Sequence, residues 1–213
     1  MPPKKIYPDR IVLKADPLVK KIWESYTKQS PKSNKHISYS QLSTFSSCQR
    51  QWYLQYLKKL APYQPSIHAT FGTAMHETLQ TWLEVLYHDK VKTANEMDLD
   101  SLLYENMMKA YKGGKAQNSH QHYSTAEELT MFWIDGKHIL KYIKSKRRAY
   151  FGTKGVYLAG VETLLYQTLR PGVKFKGFID LVFYDARVDR WKLVDIKTST
   201  SRVCFYAKKG TGI

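Results

Sequence analysis

Between residues 38 and 149 the apolar side chains recur at three- and four-residue spacing, the mark of helices that bury one face. Ser38 or Ser40 offers an N-cap to a first helix, on which Leu42, Phe45, Gln49, Trp52 and Tyr56 form an aromatic stripe. Pro62 and Pro65 end that segment. Residues 71–87 predict a second helix with Leu79, Leu83 and Leu86 on one face. A third is expected over about Asp98 to Lys112, followed by a polar loop, GGKAQNSHQH, at 113–122. A fourth covers about Ala126 to Ala149, with Leu129, Phe132, Trp133, Leu140 and Ile143 inward and the lysines outward.

After Tyr150 the character changes to β-branched and aromatic runs separated by turn residues. Residues 156–169, 173–185 and 190–200 predict three strands in a meander, divided by Arg170-Pro171-Gly172 and by a short polar turn. Ahead of the helices, Pro2, Pro3, Pro8, Pro17 and Pro31 break any long element. Residues 1–37 therefore read as an extension, with one short helix at Pro17 to Thr27, and residues 38–213 as the folded domain.

Charge narrows the partner. Of 213 residues, 34 are Lys or Arg and 18 are Asp or Glu, a formal net charge of +16. An excess of this size points to a polyanion, nucleic acid or an anionic membrane surface. No apolar run approaches a spanning helix, and the N-terminus lacks the apolar stretch of a signal peptide. The expectation is a soluble intracellular, cytoplasmic protein without a membrane partner. Nine basic residues lie in the extension, and seven lie between Lys137 and Lys154 without an acid among them. Lys141, Lys144, Lys146, Arg147 and Arg148 of that second run are the candidate nucleic-acid-binding residues. Cys48 and Cys204 are too few for a disulfide framework or a four-thiolate metal site.

The chemistry concentrates in the last two strands. If the turn is Ala186 to Asp189, Asp185 pairs with Arg190, and the same register sets Asp180 directly opposite Asp195. By alternation Asp180 shares a face with Phe178 and Val182, and Asp195 with Leu193 and Lys197. Two opposed carboxylates repel unless something positive lies between them. A hard divalent cation such as Mg²⁺ or Mn²⁺ meets that need, with Lys197 beside it to orient a water or a phosphate. The plain alternative is a solvated carboxylate pair with a lysine neighbour. Glu162, among apolar residues in the first strand, is a third acid or an edge-strand charge. His76, one turn after Gly72, is a ligand or an ordinary helical histidine.

The residues GFID at 177–180, DIKTS at 195–199, GTAMHE at 72–77 within the second helix and SYSQLSTFSSCQRQWYLQYL at 38–57 resemble the PD-(D/E)XK nuclease superfamily, specifically its RecB-like exonuclease branch. The similarity runs from about Ile37 to Thr200. It implies a mixed α/β fold with a restriction-endonuclease-like core, in which helices flank a central mixed sheet. It implies further that Asp180 and Asp195 are metal-binding acids, Lys197 a catalytic lysine, His76 a metal ligand and Glu162 an additional acid. Relatives that carry an iron–sulfur cluster place its first cysteine where Cys48 stands, but the later cysteines have no counterpart, so no cluster is expected. The branch's Gln-x-x-x-Tyr motif is also missing from the 16 residues after Lys197. A sheet edge left bare there leads to an expectation of self-association or reduced activity.

The function expected is metal-dependent hydrolysis of DNA phosphodiesters, by an exonuclease in preference to an endonuclease, in DNA recombination or processing. The rival from another class is a catalytically impaired nucleic-acid-binding module or nuclease subunit on the same fold.

Overall fold

Ser66 caps the central helix of the protein by accepting the backbone N–H of Ala69, and this helix organises the rest. The computed structural model describes residues 36–151 and 155–198. Residues 1–35 of the basic extension, with its expected helix at 17–27, Lys154 and the residues from 199 onward lie outside the described residues.

The element order begins with β1 (Ile37–Ser38), α1 (Tyr39–Ser47) and α2 (Gln49–Trp52), followed by a π-helical turn at Tyr53–Leu57. Then come α3 (Ile67–His88), α4 (Val91–Glu96), α5 (Leu99–Gln117), α6 (Ala126–Ser145) and α7 (Arg147–Phe151). Three strands complete it, β2 (Val156–Arg170), β3 (Val173–Asp185) and β4 (Arg190–Val194).

Helix α3 buries Phe71, Met75, Leu79, Trp82 and Leu83 in one cluster with Leu99, Leu103 and Met107 of α5, Leu140 of α6, and Leu158, Val161, Leu181 and Phe183 of the sheet. A fully buried side chain of this size contributes about 1.5–3 kcal/mol, so this cluster fixes α3 against the strands. Trp82 is wholly buried, and its indole N–H donates to the carbonyl of Ala94 at 3.1 Å. That bond anchors α4, a short helix that the apolar spacing does not announce.

Three expectations about helix boundaries need correction. The helix expected over Ala126 to Ala149 breaks at Lys146 (φ −96, ψ 12), where α6 ends and α7 begins. Helix α5, capped by Asp98, continues five residues beyond Lys112 through Gly113 and Gly114. A Cβ at Gly114 would lie 2.6 Å from the Tyr123 hydroxyl, so close packing on Tyr123 outweighs the low helix propensity of glycine. The first predicted helix is interrupted at Cys48, whose backbone is extended (φ −157, ψ 105). Its stripe is not buried either: Leu42 and Phe45 are exposed, and Phe45 meets Trp52 edge to face.

The sheet has four strands and is mixed. β2 runs antiparallel along the whole of β3, from Val156 opposite Asp185 to Arg170 opposite Val173. The other edge of β3 is shared. β4 pairs antiparallel with residues 181–185, and β1 pairs parallel at Phe175 and Lys176. Asp185 faces Arg190, as the turn at Ala186–Asp189 requires. Between these two ladders, residues 177–180 of β3 have no strand beside them on that edge among the described residues, and Asp180 lies at the end of the gap.

Candidate active site

Three elements converge on the gap. Helix α3 presents Gly72, His76 and Gln80 at four-residue spacing, hence on one face. β3 supplies Asp180. β2 supplies Glu162, which stands across from Asp180 because its neighbours Val161 and Thr163 pair with Leu181 and Ile179. One ligand atom each from His76, Glu162 and Asp180 lies within 4.8 Å of the others. Within this group His76 Nδ1 approaches Asp180 Oδ2 to 3.8 Å.

The local backbone brings these acids round to the helix. Val161 and Leu181 pack into the core beneath α3, so strict alternation would turn Glu162 and Asp180 to the opposite face. At Glu162 the chain instead takes a left-handed conformation, φ 50. A non-glycine residue held there costs about 1–3 kcal/mol, which the surroundings must offset. The Glu162 carboxylate meets α3, where the side-chain amide of Gln80 donates to Oε1 at 2.7 Å. On β3, Ile179 packs with Val182 and Tyr184, not with Leu181 and Phe183, so alternation also slips beside Asp180. The shared face expected for Phe178, Asp180 and Val182 therefore does not form.

The strict opposition of Asp180 and Asp195 is likewise replaced. The β3–β4 ladder stops at Leu181 opposite Val194. In place of the next pair, Asp180 Oδ2 accepts the backbone N–H of Ile196 at 2.6 Å. Facing carboxylates are unfavourable, and this bond keeps one of them while releasing the other outward. Asp195 stands apart from the three-residue group, in an ion pair of 2.8 Å with Lys197. The hydrogen bond to Asp195 raises the Lys197 ammonium above its ordinary value, with the charges of Asp195 and Asp180 adding to it. Lys197 is thus a cation at neutral pH, a donor and not a proton acceptor.

Gly72 explains how this segment reaches the site. A Cβ there would lie 2.9 Å from Thr198 Oγ1, so the glycine lets residues 195–198 lie close across α3, one turn before His76.

The basic segment lies farther off. Lys144 donates to the carbonyl of Asn95 at 2.7 Å, and Arg147 to the Asn95 side chain at 3.3 Å. Both brace the link into α5. Lys141, Lys146 and Arg148 are exposed. Tyr87 donates to the carbonyl of Phe151, which ties the segment to a point on α3 eleven residues beyond His76, about 16 Å along the axis.

Gln80 joins the site without having been singled out by the sequence pattern. It is 2% exposed. The spacing His76-x-x-x-Gln80 on an apolar helix was the available sign, since a buried amide needs a partner.

A family model of the PD-(D/E)XK nuclease superfamily matches residues 36–206, a span that contains every one of these residues. The chain belongs to the PD-(D/E)XK nuclease superfamily. A search of curated proteins gives no match. Membership implies a metal-dependent nuclease acting on nucleic acid, and the mixed sheet with flanking helices agrees with the superfamily core. The donors fit a divalent ion. With oxygen or nitrogen ligands about 2.1 Å from an octahedral ion, neighbouring donors lie about 3.0 Å apart and opposite ones about 4.2 Å. The fit lies in the donor types, one imidazole nitrogen and two carboxylate oxygens within 4.8 Å of one another, and the 3.8 Å between His76 and Asp180 matches neither octahedral spacing, so the side chains would close in by small rotations around an ion. Cys48 is exposed, with its sulfur accepting the Gln51 N–H, and Cys204 lies outside the described residues. Among the described residues no helix is long and apolar enough to cross a membrane.

Proposed function

We propose that this protein is a Mg²⁺- or Mn²⁺-dependent deoxyribonuclease of the RecB-like branch, an exonuclease serving DNA recombination or processing. The observation that carries this reading is the convergence of His76, Glu162 and Asp180, from a helix and two strands, on one small volume beside Lys197. His76, Glu162 and Asp180 would hold the ion, with Asp195 joining once it leaves Lys197. The imidazole among the donors favours Mn²⁺ over Mg²⁺. When bound, the ion supplies positive charge against the charge that develops on the phosphate.

The chain's own groups then have defined tasks. Lys197, protonated and largely exposed, donates to the phosphate or orients the attacking water. A water oxygen bonds to phosphorus and gives up a proton to solvent, the P–O bond to the leaving sugar oxygen breaks, and that oxygen takes up a proton from solvent. Lys141, Lys146 and Arg148 neutralise backbone phosphates farther along the nucleic acid.

The second reading, an impaired nucleic-acid-binding module or nuclease subunit, has one observation in its favour: Asp195 lies outside the three-residue group, tied to Lys197. Incubation of the purified chain with linear and circular DNA in Mg²⁺, Mn²⁺ or EDTA separates the two. Cleavage of linear DNA with either metal, stopped by EDTA, supports the nuclease. Binding without cleavage in either metal supports the module.

A further inference from the structure

We propose that Gln80 is a positioning residue that holds Glu162 as a one-oxygen ligand and thereby sets which divalent ion the site prefers. The inference rests on the metal-site reading above and concerns how that site discriminates. Gln80 is buried, one turn beyond His76 on the same face of α3, and its amide N–H donates to Glu162 Oε1 at 2.7 Å. A hydrogen bond this short to a carboxylate is strong and directional. It pins one oxygen of Glu162 to the helix, while one carboxylate oxygen of Glu162 lies within 4.8 Å of the ligand atoms of His76 and Asp180.

A two-oxygen grip would need both carboxylate oxygens at similar distances from the ion, and the bond to Gln80 resists that rotation. Mg²⁺ and Mn²⁺, small and octahedral, accept single-oxygen carboxylates. Ca²⁺ takes six to eight oxygens at longer distances and readily uses carboxylates bidentately. The amide also does this without adding a positive charge, which a lysine or arginine at position 80 would place against the ion. The left-handed backbone at Glu162 (φ 50) aims the side chain at α3, and the bond to Gln80 holds the carboxylate there.

The test is Mn²⁺ and Ca²⁺ binding to the full chain, measured by calorimetry without DNA, for the wild type, Gln80→Met, Glu162→Gln and the double variant. Gln80→Met keeps the volume and removes the donor, so Mn²⁺ affinity falls about ten-fold or more and the preference for Mn²⁺ over Ca²⁺ narrows. Gln80→Asn, which withdraws the amide by one methylene, shifts both in the same direction and serves if the methionine variant does not fold. In the Glu162→Gln background the Gln80 substitution has no further effect on Mn²⁺ affinity. Unchanged affinity and preference in both Gln80 variants would overturn the proposal, as would an equal loss in the Glu162→Gln background. Wild-type protein that binds neither ion would instead bring down the metal site itself, and this inference with it.

Discussion

The carboxylate of Asp180 and the backbone N–H of Ile196 meet at 2.6 Å, where the next rung of the β3–β4 ladder would be. Asp180 therefore closes the end of the sheet as well as facing His76, and its two roles can be separated by substitution. Asp180→Asn keeps an acceptor for Ile196 and removes the charge, so it should fold like the wild type and fail to cleave. Asp180→Ala loses both, at a cost of about 1.5–3 kcal/mol for a hydrogen bond to a charged group. Denaturant titrations of the two variants, run beside a cleavage assay, check this. Equal stability of both would show that the bond to Ile196 contributes nothing.

Gly72→Ala should separate stability from activity in the other direction. Alanine in a helix interior is favoured over glycine by about 1 kcal/mol, but the added methyl would sit 2.9 Å from Thr198 Oγ1 and push residues 195–198 away from α3. The expected result is a melting temperature at or above that of the wild type with cleavage reduced. Undiminished cleavage would mean that the approach of Thr198 to α3 does not position Lys197.

Lys197 gives the pH dependence. Its folded value is raised by Asp195, so the pair's contribution is complete below the ordinary lysine value of 10.5 and is lost as pH rises through the raised one. Cleavage should show no loss from lysine deprotonation below about pH 10, and Asp195→Asn should move the Lys197 titration downward. Nuclear magnetic resonance of the lysine side chain follows that titration directly. An unmoved titration in Asp195→Asn would contradict the assignment of cause.

Much of the fold was legible because it rests on local rules. The turn at Ala186–Asp189 dictates the Asp185–Arg190 pairing, and the Leu79 and Leu83 spacing fixes the buried face of α3. What escaped depends on contacts remote in sequence. Helix α5 runs through Gly113 and Gly114 because Tyr123 packs there, and α4 is held by the indole of Trp82. Within the site, Asp180, Glu162 and His76 were recognisable as residue types in a pattern. Period-two counting could not find the left-handed turn at Glu162 that aims its carboxylate at α3, nor the Ile196 bond that displaces Asp195.

Nucleic-acid affinity should fall steeply with salt, with a log–log slope of about −0.9 per neutralised phosphate on duplex DNA. Because Lys144 and Arg147 brace Asn95, charge reversal is best confined to Lys141, Lys146 and Arg148. Every phosphate that a reversed residue no longer neutralises should flatten the slope by about 0.9. A triple variant with the wild-type slope and affinity would place the nucleic-acid path elsewhere on the protein.

His76, Glu162 and Asp180 are central here as the holders of a divalent ion on which DNA cleavage depends. The most direct measurement is the rate of cleavage of end-labelled linear DNA across a Mn²⁺ titration, for the wild type, His76→Ala and Glu162→Gln, with EDTA as the zero point. The expected result is no cleavage in EDTA, a saturable Mn²⁺ dependence for the wild type, and in each variant a large loss of rate or a shift to higher Mn²⁺. Cleavage that persists in EDTA, or variants whose Mn²⁺ curves overlay the wild type, would contradict this role.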